Sequence, residues 1–180
     1  MSNTYRAIEI ANFYIRLTNS IPDNNIDNLR LNKILYYAQA WSLVRNKRPL
    51  FEDDIQEWDY GPVICDVYHT YKCCGGNTIE EAEDYFDENR LSNDELELLV
   101  DVYQKYGKYT GEALKDMTHK KGFSWEQVYQ TGRNNVIAHE SIIKYFEKEE
   151  LDSFNVNELD IPVVKEIPAE WDSKEDAIYG

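Results

Sequence analysis

The side chains best suited to covalent or metal chemistry in this sequence are three histidines, His69, His119 and His139, and three cysteines, Cys65, Cys73 and Cys74. A nucleophilic enzyme needs a Cys or Ser held against a base, and a zinc centre needs three or four ligands at recognisable spacings. His69 and Cys73 stand four apart and can share a helical face. They make only half a zinc site, and no CxxC or HExxH pattern accompanies them. Gly75-Gly76 belongs to neither a GxxxxGK[ST] nor a GxGxxG pattern, so no phosphate-cradling loop is expected there, and a helix C-cap explains it better. Asp53 with Asp54, and Glu80, Glu81, Glu83 and Asp84, bring carboxylates together, but 34 acids in 180 residues produce such neighbours by chance. His119, six residues before Trp125, is expected to bond a backbone carbonyl and to fix a corner between helices. These residues lead to no catalytic residue, no metal ligand and no cofactor.

The elements that would position these side chains are mostly helical. Tyr5, Ile8, Ala11 and Ile15 form a stripe over 4–18, with Ile10, Phe13 and Leu17 beside it, which predicts a central helix apolar over much of its circumference. After turn residues in 19–28, Leu31, Ile34, Leu35, Ala38 and Trp41 predict an amphipathic helix over 29–45. One short strand is expected in 46–61, followed by a helix with Pro62 at its first position, a face of Val63, Val67 and Tyr71, and an end at Gly75-Gly76. Ser92 and Glu95 have capping-box spacing, flanked by Leu91 and Leu96 as a hydrophobic staple, so a helix begins there and runs to Gly107. Thr110 caps a shorter helix bearing Ala113, Leu114 and Met117; Ser124 with Gln127 caps another at Trp125; Ile142, Ile143 and Phe146 mark a last helix over 138–148. The expected fold is therefore mainly α: a compact multi-helix domain over 4–148 with a small β element, and an acidic C-terminal tail over 149–180.

Composition narrows the function classes. Nineteen basic against 34 acidic residues give a net charge of −15, which disfavours a surface that holds phosphate backbones, so no nucleic-acid partner is expected. The acidity is concentrated: 77–101 holds 1 basic and 10 acidic residues, and 147–180 holds 3 and 11, whereas 1–76 holds 8 and 9. No apolar run approaches the roughly 20 residues of a membrane span, and the N-terminal residues lack the apolar stretch of a secretory signal. A cytoplasmic protein with reduced thiols and no membrane partner is expected. Fourteen Tyr and 4 Trp are available to fill a core or to build a contact surface.

Three motifs occur in order: Leu31-x-Lys33-Ile34-Leu35-Tyr36-Tyr37-Ala38-Gln39, then Trp58-Asp59-Tyr60-Gly61-Pro62-Val63, then Leu114 to His119 followed by Trp125. Taken together they resemble the Panacea (SocA-like) antitoxin domain family, also described as phage-associated GepA-like proteins, over about 10–148. The resemblance implies a mostly helical, non-enzymatic domain that binds and neutralises a toxin encoded beside it, and in one branch an adaptor that hands the toxin to a protease. No attached helix-turn-helix domain is apparent, so self-regulation through DNA is not expected. Leu31, Ile34, Leu35 and Ala38 read as core, and Trp58 as a cover for the Gly61-Pro62 turn. Lys33, Tyr36, Tyr37 and Tyr60 are the expected partner-binding surface, because Lys33 and Tyr37 lie four apart on the polar side of the second helix. Trp171 is a further contact candidate in a tail whose Phe154, Leu159, Ile161, Val163, Val164 and Ile167 favour ordering on contact, either packed back on the domain or laid across a toxin surface. The competing reading is an acidic decoy that imitates nucleic acid and blocks a host nucleic-acid enzyme.

Overall fold

Six α-helices surround one another in the computed structural model, which describes residues 4–120 and 133–152. In chain order they are α1 (Ala7–Asn19), α2 (Asn28–Trp41), α3 (Cys65–Tyr71), α4 (Asn93–Tyr106), α5 (Gly111–Thr118) and α6 (His139–Asp152). A two-stranded antiparallel hairpin, β1 (Gln56–Trp58) and β2 (Gly61–Val63), interrupts them. The fold is mainly α with a small β element. Among the described residues no helix is long and apolar enough to cross a membrane.

Local chemistry sets most helix ends. Asp27 accepts the Arg30 amide at 2.8 Å and starts α2. Ser92 and Glu95 form the expected reciprocal box at the start of α4, which ends at Gly107. Thr110 accepts the Ala113 amide at 3.2 Å and starts α5. The α1 amide of Ala7 donates to Asp53 at 2.7 Å, so one carboxylate of the Asp53-Asp54 pair is a cap supplied from a distant loop. The expected helix cap at Ser124 and Gln127 lies outside the described residues.

The centre of the molecule is α2, not α1. All 14 of its residues are buried, and α1, α3, α4, α5, α6 and β2 all pack on it. The expectation of an amphipathic helix with a solvated side is therefore overturned. The polar residues of α2 face other backbone segments rather than water: Gln39 accepts the Leu50 and Phe51 amides at 2.7 and 3.2 Å and donates to the Phe51 carbonyl at 2.9 Å. Arg30 donates to the carbonyls of Asn25 and Gly107, which brings it inside at 7% exposure. Burying polar groups costs little when each finds a partner. Beyond Trp41 the helix continues as a π-helical turn, Ser42–Asn46, that stops where Lys47 takes a left-handed φ of +56°.

Pro62 also departs from expectation. It lies in β2 opposite Glu57, and the following helix begins only at Cys65. The Glu57 amide donates away from the hairpin, to the Asn135 carbonyl at 2.9 Å, so the Glu57–Pro62 pair is a non-hydrogen-bonded one and the missing proline N–H costs the ladder nothing. On its other edge β1 is held by 135–137, where the Ile137 amide donates to the Ile55 carbonyl at 2.8 Å.

Candidate functional site

The three sequence motifs meet at the hairpin turn. Asp59 and Tyr60 form its two-residue loop, closed by Gly61 at φ +87°, a conformation open to glycine at little cost. A Cβ on Gly61 would stand 2.6 Å from Thr118 Oγ1, 3.4 Å from His119 Cε1 and 3.5 Å from Lys33 Nζ. The glycine thus permits both the turn and the close approach of α5 to it.

Side chains from α2 hold the strand that leaves this turn. Lys33, fully buried, donates from Nζ to the Pro62 carbonyl at 2.8 Å. One position earlier, Asn32 accepts the Ile64 amide at 3.0 Å while its own amide donates to Asn28 Oδ1 at 2.9 Å. Asn28 in turn donates to the Tyr68 carbonyl at 2.9 Å and so secures α3. From the opposite side, His119 sets Nδ1 2.8 Å from the Lys115 carbonyl and Nε2 3.2 Å from the Asp59 carbonyl. The imidazole bonds backbone carbonyls as its position suggested, but the corner it fixes joins the end of α5 to the hairpin loop rather than to another helix. Trp58 packs edge-to-face on Tyr68 at 4.8 Å and covers the turn from the α3 side.

Glu57 is the exception in this network. It is 2% exposed, and neither carboxylate oxygen has a hydrogen-bond partner among the described residues. Burial pushes its pKa up to about 8, so the carboxyl is mostly protonated at neutral pH. An acid in this state costs less inside the protein than a bare carboxylate.

The expected contact surface is not assembled as the sequence suggested. Lys33, Tyr36 and Tyr37 are inside the molecule, at 0%, 0% and 2% exposure. Tyr37 stacks on Tyr106 with centroids 3.9 Å apart, and Tyr36, Tyr37 and Trp41 all meet the ring of Phe146 on α6. Lys33 and Tyr37 stand four apart on α2, and other elements cover both: Lys33 lies against β2 and Tyr37 against α4 and α6. Tyr60 alone of the described candidates reaches the surface, half-buried at the hairpin tip with the Lys115 ammonium 5.4 Å from its ring centroid. Burial opposes the charge on Lys115, but Glu112 at 2.6 Å outweighs it and holds the lysine pKa above its usual value. Trp171 lies outside the described residues.

Asn28, Asn32 and Gln39 were missed as positioning residues. A signal for them exists: 28–51 contains no Asp or Glu at all in a chain with 34. A helix whose polar side consists of amides and cations without acids is poorly suited to solvent in this chain and well suited to bonding backbone groups. His69 is exposed and meets Tyr68 edge-on, without joining a metal cluster; among the described residues no three His, Cys, Asp or Glu side chains gather to hold a metal.

What the arrangement does chemically is to fix a backbone: an ammonium, a carboxamide and an imidazole act on the Pro62 carbonyl, the Ile64 amide and the Asp59 carbonyl, while a second carboxamide, Asn28, ties in α3. The domain profile of the SocA-like antitoxin, Panacea domain, matches residues 31–126, more than half of the chain, and spans α2 from Leu31, the hairpin and α3 to α5. No curated protein and no solved structure gave a significant match. With the matched stretch enclosing Asn32, Lys33 and His119 around Gly61, this chain belongs to the family of SocA-like antitoxins with a Panacea domain.

Proposed function

We propose that the protein is the antitoxin of a toxin–antitoxin system, neutralising a cognate protein toxin in the cytoplasm by direct binding and catalysing no reaction itself. The observation that supports this most is that Lys33, Asn32 and His119, the polar groups of the family's motif region, are engaged with backbone groups of the domain. They serve as scaffold, which leaves recognition to the outer surface. In this reading Tyr60, carried outward by the clamped hairpin, contacts the toxin, while Lys33, Tyr36 and Tyr37 contribute by holding the fold. The acidic tail 151–180 lies across the toxin with Trp171 as an aromatic anchor and its carboxylates against a basic surface. Delivery of the bound toxin to a protease is compatible with the same complex.

The test is co-expression with the toxin encoded beside the gene, followed by purification. Growth should be restored and the two proteins should co-elute. Growth restored without a complex, at protein concentrations well above a micromolar Kd, would overturn direct neutralisation. Removing 151–180 should weaken toxin binding; equal neutralisation by the shortened chain would refute the clamp. An acidic decoy would instead bind a host nucleic-acid enzyme and lose that binding steeply as salt rises.

A further inference from the structure

The end of α3 carries the only two adjacent thiols of the chain. Cys73 and Cys74 close a 3₁₀ turn, Lys72–Cys74, and Gly75 stops it at φ +55°. Both are free; Cys73 is exposed and Cys74 half-buried. As consecutive residues of one turn, the two thiols can be brought to a common atom by rotation of their side chains alone. The inner member is anchored, since Cys74 packs against the main core. Beside it the Tyr71 hydroxyl donates to Asn12 Oδ1 and accepts the Glu83 amide, both at 2.9 Å. One sulfur is thus anchored against the core, and its neighbour in the chain is open to solvent.

Two common fates of paired cysteines fit this place poorly. Neighbouring Cα atoms stand about 3.8 Å apart, shorter than the roughly 4.4 Å at which disulfide-linked pairs begin, so a direct S–S bond would be strained. Zinc requires four donors, and no third metal-binding side chain joins the thiols among the described residues. An acceptor satisfied by two sulfurs, brought with its own third substituent, meets neither obstacle. It inserts one atom between the sulfurs and asks nothing more of the protein.

We propose that Cys73 and Cys74 form a dithiol site for a trivalent thiophilic metalloid of the arsenic(III) and antimony(III) class. With an organoarsenic(III) oxide, two S–H bonds break and two As–S bonds form. Both protons leave with the oxide oxygen as one water, and arsenic remains trivalent, so no oxidant or reductant is required.

Phenylarsine oxide added to the full chain tests the site. A one-to-one adduct should form with loss of two titratable thiols, be released by 2,3-dimercaptopropanol and resist the same concentration of 2-mercaptoethanol. Cys65→Ser should bind as the parent does. Cys73→Ser and Cys74→Ser should each weaken binding by about 10²-fold or more, because the second sulfur no longer adds intramolecularly. Cys73 is exposed, so Cys73→Ser should melt as the parent does, which separates loss of the site from loss of the fold. Unchanged binding by Cys73→Ser, or equal release by the monothiol, would overturn the proposal.

Discussion

The two halves of α2 are equally buried and are held by opposite means. Its first half meets the hairpin and α3 through Lys33, Asn32 and Asn28, bonded to the Pro62 carbonyl, the Ile64 amide and the Tyr68 carbonyl. Its second half meets α4 and α6 through rings: Tyr37 on Tyr106, and Tyr36, Tyr37 and Trp41 around Phe146. Hydrogen bonds are worth little net but much when left unmade, so the polar half dictates one backbone geometry. Ring burial supplies more free energy and is less demanding of angle. The difference explains how one helix can both stabilise the domain and shape a turn at its surface. Two polar groups accompany the rings: Trp41 Nε1 donates to the Tyr106 hydroxyl at 2.8 Å, and Gln39 bonds the backbone of Leu50 and Phe51, outside the hairpin.

The comparison breaks first at Phe146. Phe146→Ala removes the ring shared by Tyr36, Tyr37 and Trp41, and should cost about 3–5 kcal/mol in urea unfolding. The Ile64 amide should keep its place in the remaining folded molecules. A loss below about 1 kcal/mol would mean that α6 is not part of the core.

A smaller loss with a local signature is expected in the polar half. Asn32→Ala orphans the Ile64 amide and should cost about 1–3 kcal/mol. Hydrogen exchange at Ile64 should speed up beyond the global change, whereas Phe146→Ala should move exchange only through global stability. Equal exchange profiles for the two variants would erase the distinction between the halves. Gly61→Ala strains the same turn, through its φ of +87° and the 2.6 Å approach to Thr118 Oγ1, and should cost about 1–3 kcal/mol.

Glu57 sharpens the contrast through pH. Its folded pKa of about 8 lies above the ordinary carboxyl value of 4.5, so the folded state holds the proton more tightly than the unfolded one. Between those values the native protein binds more protons, and the contribution of Glu57 to stability falls as pH rises, levelling off above about pH 8. Glu57→Gln should remove that slope: relative to the parent it should be more stable at pH 8.5 than at pH 5. Melting curves at the two pH values check this, and an unchanged difference would show that Glu57 ionises freely in the native protein.

The least effect on stability is expected at Tyr60. Tyr60→Ala, at a half-buried loop tip, should shift stability by about 0.5 kcal/mol or less. In the proposed complex it should still weaken co-elution with the toxin. A variant that neutralises as the parent does would move the contact surface away from the hairpin.

The sequence by itself determined the elements whose signals are local. Ser92 with Glu95, Thr110 before Ala113, and Gly107 after Tyr106 act on backbone within a turn of themselves, and the helices begin and end as that chemistry requires. The family motifs were legible for the same reason, as was the bond of His119 to a backbone carbonyl, since a residue at a helix end has few groups to bond; that it reaches the hairpin loop and not another helix was decided by the tertiary structure. Only the tertiary structure decided which side of α2 meets water. Periodicity reports where polar residues lie and is silent on what faces them, and here the backbone of 50–51 and of β2 with Ile64 replaces solvent as the partner. Pro62 became a strand residue because Lys33 and Asn32, some thirty positions earlier, bond the backbone on either side of Val63. Such long-range bonds leave no trace in local spacing, and for that reason the proposed surface of Lys33, Tyr36 and Tyr37 turned inward while Tyr60 stayed at the rim.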